Sequence, residues 1–256
     1  CMQQLLAAFR WAPPLHGQSI ELPFVFRAPV RQSVIDRRLV PLRSVGAERT
    51  APSVAVLLDE RNTGNPTASM LAVHWLPGVS TGERLASRSE LWYFLAAAEV
   101  RSGKQHLAVA AGDVVWVPAN SVREIRAANG TMAVLLVLPG GVEGSARAGA
   151  LATPLTVATP SNSGKLVTFS ALGATPWPTA TGSATIIADS PALPAAVSLL
   201  QFRAGATVPT HRHDRESEWL YVLAGRAQIT LEGITLAVDA NSVVQIPAGI
   251  TQRRHQ

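Results

Sequence analysis

The chain has 256 residues, 47% of them apolar and 15% charged, a globular composition that excludes a largely disordered protein. The formal charge of +5 comes from 22 basic and 17 acidic residues. The basic residues are scattered rather than clustered, so no nucleic-acid partner is expected, and a preference for small anions is only a weak inference. Cys1 is the single cysteine, which rules out an internal disulfide and a thiolate metal site.

From the N-terminus, residues 2–10 (MQQLLAAFR) have the pattern of a short amphipathic helix. No secretory signal is legible, and no apolar run reaches the roughly 18 residues that a transmembrane helix needs. The start at Cys1 has two readings. A fragment end, with a cytoplasmic location, is favoured over a lipid-anchored mature cysteine. Residues 1–50 then read as an N-terminal extension of helix and extended chain, expected to pack against a neighbouring domain or to exchange a strand with it. Short apolar, β-branched runs follow, cut by Gly, Pro, Asn and Asp, and they predict strands at 55–58, 71–76, 91–95, 114–117 and 132–138. Residues 139–165 are small, polar and poor in aromatics, which marks a connector. Further strands are predicted at 184–188, 197–202, 219–223, 227–231 and 242–246. The domains expected are 51–141 and 183–256, with 142–182 as linker and first strand.

The two sets of strands are copies. Residues 70–78 (MLAVHWLPG) match 197–205 (VSLLQFRAG), 89–96 (SELWYFLA) match 217–224 (SEWLYVLA), and 114–119 (VVWVPA) match 243–248 (VVQIPA), at offsets of 127, 128 and 129 residues. Three blocks in the same order at nearly constant offset describe a duplicated unit. Many short strands with no intervening long helical period indicate a sandwich or barrel rather than a parallel βαβ sheet. The second copy looks shortened. The first runs on after Pro118 through a strand at 132–138, whereas only nine residues follow Pro247. The second sheet is therefore expected to have an edge that is open or covered by a partner.

The candidate site lies in the second copy, where residues 205–225 read GATVPTHRHDRESEWLYVLAG, or G-x5-H-x-H-x4-E-x6-G. On a strand, residues two apart share a face, so His211 and His213 project together if Arg212 points outward. The polar stretch 214–217 turns the chain and Glu218 opens the next strand, so three donors can converge from neighbouring strands. Two imidazoles and a carboxylate suit a borderline divalent ion with open coordination positions. The competing reading, three surface residues beside a strand, fits this spacing less well.

The spacing resembles the first cupin motif at every fixed position, and Pro247, Ala248 and Gly249 resemble the P-x-G core of the second. The resemblance implies an all-β protein of two tandem cupin barrels (double-stranded β-helix, or jelly roll) with a short N-terminal extension. It also implies one divalent metal ion (Mn, Fe, Zn or Ni) and a homo-oligomer, most simply a dimer. The family usually has a third histidine three residues after the P-x-G glycine, but Gln252 stands there. In ureidoglycine aminohydrolases, which this chain resembles on that point, a glutamine is a ligand, so ligand and non-ligand roles for Gln252 both stay open. Arg254 shares its parity and could hold an anionic substrate, although an exposed arginine at a frayed terminus is the expectation. Trp75, Trp92, Trp116, Trp219 and Tyr221 are expected in packing roles.

The first copy keeps Gly78 and Glu90 but has no histidine pair, and Arg123 occupies the position of Gln252. No metal is expected there, and Glu90 and Arg123 are expected to pair instead. The ligand set implies metal-dependent chemistry on a small polar or anionic molecule, and the resemblance to two-barrel cupins implies that it is of dioxygenase, decarboxylase or aminohydrolase type. The alternative is a non-catalytic cupin that binds a sugar or another small ligand.

Overall fold

A period-2 pattern of Leu, Val, Trp and Phe governs the architecture. In this computed structural model, residues 19–27, 36–38, 52–138, 165–170, 177–179, 182–190, 193 and 195–255 are described. In chain order the strands are β1 (Ser19–Arg27), β2 (Asp36–Arg38), β3 (Ser53–Leu58), β4 (Ser69–Trp75), β5 (Arg84–Ala86), β6 (Ser89–Phe94), β7 (Ala98–Ser102), β8 (Gln105–Val109), β9 (Val114–Val117), β10 (Ser121–Arg126) and β11 (Thr131–Leu138). They continue with β12 (Val167–Phe169), β13 (Trp177–Thr179), β14 (Gly182–Ala188), β15 (Ala195–Phe202), β16 (Thr207–Arg212), β17 (Glu216–Val222), β18 (Arg226–Leu231), β19 (Ile234–Asp239), β20 (Ser242–Ile246) and β21 (Thr251–His255). One helical turn, α1 (Glu60–Thr63), is held by a capping box in which Asp59 and Asn62 satisfy each other's end of the turn. No helix among the described residues is long and apolar enough to cross a membrane.

The chain divides into two units, Val40–Gly173 and a split unit made of Cys1–Leu39 with Ala174–Gln256. Each contains a large and a small antiparallel sheet. In Val40–Gly173 the orders are β12-β9-β6-β11-β4-β3 and β5-β10-β7-β8. In the split unit they are β13-β14-β15-β1-β17-β20-β2 and β16-β21-β18-β19. Overlaying the two orders pairs β4 with β15, β6 with β17, β9 with β20 and β10 with β21, which is the duplication read from the sequence.

The overlay also accounts for the strand expected to be missing. The position that β11 holds between β6 and β4 is filled in the split unit by β1, whose register runs from Glu21 opposite Val222 to Arg27 opposite Glu216 and from Glu21 opposite Leu200 to Phe26 opposite Ala195. β2 then pairs with β20 as β12 pairs with β9. The open edge anticipated after Pro247 is thus closed within the chain, by residues 19–27 of the segment read as an extension, and residues 36–38 of it pair with β20. The inference of a dimer from an uncovered edge loses its basis. The helix read at 2–10, and Cys1 with its lipid-anchor reading, lie outside the described residues.

Membership of each core follows strand parity. Leu71, Val73 and Trp75 on β4, Trp92 and Phe94 on β6, Val115 and Val117 on β9, and Leu135 and Val137 on β11 form one core. Leu220 and Val222 on β17 pack with Ile229, Leu231, Val244 and Ile246 in the other. Trp75 and Trp92 are core residues as expected, while Trp116 is only half-buried. Gly205 and Gly225, which bracket the histidine motif, have φ of +74° and +83°, a region where a Cβ is costly. Because β1 is an interior strand, removing residues 1–39 would leave β15 and β17 with unpaired backbone. The shortened protein is expected to aggregate or lose a cooperative transition in thermal scans with light scattering; an unchanged soluble transition would contradict the pairing.

Candidate functional site

The two motifs are locked together by backbone geometry. β16 and β21 pair antiparallel with His211 opposite Gln252. Just beyond the end of β16, the His213 carbonyl accepts from Gly249 N at 2.7 Å, and Ala248 N donates to Ser217 Oγ at 3.3 Å. The P-x-G turn therefore rests on the residue that carries the second imidazole. Glu218 shares its face of β17 with the core residues Leu220 and Val222, so its carboxylate points into the barrel. One ligand atom each from His211, His213 and Glu218 lies within 4.8 Å of the others. The two imidazoles stand edge to face, with centroids 5.3 Å apart. Arg212, between them, points outward as parity requires.

His211 Nδ1 donates to the Pro209 carbonyl at 2.8 Å, which leaves Nε2 with the lone pair that a metal ligand needs. Burial lowers its pKa, with Arg254 adding to the effect, so the ring is held neutral. Burial alone would raise the Glu218 pKa, but Arg254 and His213 outweigh it and bring the group down to about 2. Arg254 is 4% exposed and Glu218 3%, and the two form a close ion pair. The exposed, frayed Arg254 expected from the sequence is corrected by this burial. β18 on the other side of β21 keeps the strand in register to its end.

Gln252 is brought to the site, with its Nε2 donating to Glu218 Oε2 at 2.7 Å and its Oε1 accepting from Arg254 Nη2 at 3.0 Å. In this arrangement the amide orients the carboxylate and the arginine. Ligation by its oxygen would require the amide to turn over and give up both bonds. His255 faces away and meets Thr207 Oγ1 at 2.6 Å.

Residues 198–256 match the Cupin domain family model. The fold is similar to an oxalate decarboxylase studied for a reaction-specificity switch, at 16% identity and TM-score 0.68, over 86% of this chain and 72% of that one. A mutant of Bacillus subtilis oxalate decarboxylase matches at 17% identity and TM-score 0.68 over the same shares of the two chains. Residues 198–256 are a cupin domain, and the chain as a whole has an all-β cupin fold. A third similar structure, an oxalate decarboxylase studied for proton-coupled electron transfer, is 17% identical with TM-score 0.68 and covers 89% of this chain and 74% of its own chain. No curated protein sequence matches.

The other cupin barrel shows what became of the same place without histidines. Arg123 Nε and Nη2 donate to Glu90 Oε2 and Oε1 at 2.9 and 3.0 Å, the fork-shaped pairing expected from the sequence. Trp92 Nε1 adds a 2.8 Å bond to Glu90, and its ring lies 5.3 Å from the Arg123 guanidinium carbon. Trp92 is therefore more than packing. Arg84, absent from the sequence reading, is opposite Arg123 and 4% exposed. Counting six residues on from Gly78, as from Gly205 to His211, would have found it.

Two outcomes follow. Glu218 ionises near 2 when folded and near 4.3 when unfolded. Its stabilisation is therefore complete above the unfolded value and is lost as pH falls through about 2. Arg254→Met leaves that carboxylate buried without its arginine. In chelator-treated protein it is expected to cost about 3–5 kcal/mol at pH 7, with the deficit shrinking below pH ~4 as the acid is neutralised. Urea titrations at the two pH values check this, and an equal deficit at both would refute it. Glu90→Gln leaves Arg84 and Arg123 facing each other with no carboxylate. It is expected to destabilise by about 3–5 kcal/mol, read as a lower urea midpoint.

Proposed function

We propose that this cupin binds one divalent metal ion, among Mn, Fe, Zn and Ni, on His211, His213 and Glu218, and uses it to act on a small polar or anionic molecule. The observation that carries the reading is the convergence of two imidazole nitrogens and a carboxylate oxygen within 4.8 Å inside a barrel. The donor set fits such an ion, with two imidazole nitrogens, a carboxylate already ionised, and fewer protein ligands than a closed structural site would use. A bound ion would supply Lewis-acid polarisation of a carboxylate, carbonyl or water. His211 presents a neutral, oriented nitrogen, His213 supplies the second imidazole, Glu218 neutralises part of the charge, and Gln252 braces Glu218 in place, with ligation by its oxygen as the alternative role. Arg254 provides a buried cation beside these groups, suited to orienting an anionic substrate.

The similar folds named above are oxalate decarboxylases, which makes a small carboxylate, oxalate first, the substrate class to try. Decarboxylase, dioxygenase and aminohydrolase chemistry all remain compatible with this donor set, because one fold hosts many reactions. A second reading, a non-catalytic binder of a sugar or small acid, is favoured by one feature. Arg254 already pairs with Glu218, so an ion must share that carboxylate.

Elemental analysis of purified wild type and of a His211→Ala/His213→Ala variant tests the metal. Stoichiometric metal is expected in the first and strong depletion in the second; equal content would end the reading. Metal-loaded wild type is expected to turn over a member of a small-carboxylate panel. Thermal stabilisation by a panel member without turnover would instead select the binder.

A further inference from the structure

The barrel of Val40–Gly173 carries two buried guanidinium groups and one carboxylate where the split unit has its histidines. Glu90 is engaged by Arg123 through both of its oxygens. Arg84 Nε and Nη1 and Arg123 Nη1 have no hydrogen-bond partner and are shielded from solvent. On the same inward face of β10 as Arg123, buried Ser121 also has an unpaired Oγ. Trp75, packed against Trp92 with centroids 5.8 Å apart, leaves Nε1 unpaired.

Like charges placed directly across an antiparallel pair repel each other, and Arg84 is opposite Arg123 in the β5–β10 register. Burial and the Arg123 charge both lower the Arg84 pKa. Guanidinium is nevertheless not neutralised in proteins, so the charge stays. Buried donors without acceptors are costly enough that each needs an explanation. Ala86, two residues after Arg84, carries only a methyl group where His213 carries an imidazole. The net charge of the cluster is one positive unit, and each of its unpaired groups can donate a hydrogen bond. Both features select a small monovalent acceptor.

We propose that this metal-free barrel is a binding site for a small oxyanion of formate or nitrate size, held between Arg84 and Arg123 beside Ala86. The anion would supply acceptors to the unpaired Arg84 and Arg123 donors and cancel the residual charge. A dianion such as phosphate overcompensates the single positive charge. The site does not depend on metal in the split unit.

The test is thermal unfolding of the full chain carrying His211→Ala/His213→Ala, in chelator, so that no anion response can come from a metal. Formate, nitrate and phosphate are titrated at constant ionic strength made up with chloride. Formate or nitrate is expected to raise Tm with the logarithm of its concentration, and phosphate to do so less. Arg84→Met in this background is expected to raise the anion-free Tm, because it removes an unpaired buried charge, and to abolish the response. Ala86→Leu keeps both arginines but sets a bulkier side chain where the anion would lie, and it too is expected to lose the response. Absence of any formate or nitrate response in the parent, or a response that survives in whichever of these two variants folds, overturns the proposal.

Discussion

A carboxylate buried at the same point of both barrels, Glu218 in one and Glu90 in the other, is the constraint on which the surrounding chemistry depends. An ionised acid inside a sheet is tolerable only when positive charge and hydrogen bonds surround it. Both units meet this demand with an arginine on the strand after the P-x-G or P-x-N turn, but from different positions. Arg254 reaches Glu218 from two residues beyond Gln252, whereas Arg123 occupies the Gln252 position itself. That displacement matters. With the arginine further along the strand, an amide and not a guanidinium stands opposite His211. With the arginine at the nearer position, a guanidinium takes that place.

The duplicated scaffold therefore separates fold from chemistry within one chain. The same pairing of β4 with β11, and of β15 with β1, builds equivalent walls, and the same core parity turns Glu90 and Glu218 inward. What differs is a handful of side chains on the small sheet. Arg84 replaces His211, Ala86 replaces His213 and Arg123 replaces Gln252. Each barrel balances its buried acid in its own way, one with an arginine and two imidazoles nearby, the other with two guanidinium groups.

The central strands of the large sheets were legible because they are short apolar runs buried along nearly their whole length. The runs read at 114–117, 132–138 and 242–246 fall on β9, β11 and β20. Strands β8 and β19 were not among those runs, since they alternate with exposed residues and carry few core side chains. The histidine pair and Glu218 were legible because their spacing couples strand parity to ligand chemistry. Arg254 was misjudged because its position near the last residue suggested fraying, while the pairing of β21 with both β16 and β18 holds it in the interior. Arg84 was missed because a single charged residue in a polar loop has no periodic signal of its own. The role of β1 could not be read from residues 19–27 alone, since the vacancy it fills is defined only by comparison with β11.

The long-range course of β1 has a consequence for how the molecule comes into being. The end of β1 at Arg27 and the start of β15 at Ala195 are 168 residues apart, and the intervening chain includes nearly all of a unit whose own pairings are closed within it. During synthesis that unit can fold as soon as it emerges, whereas β1, already made, must wait for its neighbours. Closing so long a loop is slow. The barrel bearing the histidines should therefore be the last to mature, and its assembly is the step at which a chaperone or a cold shock would be felt.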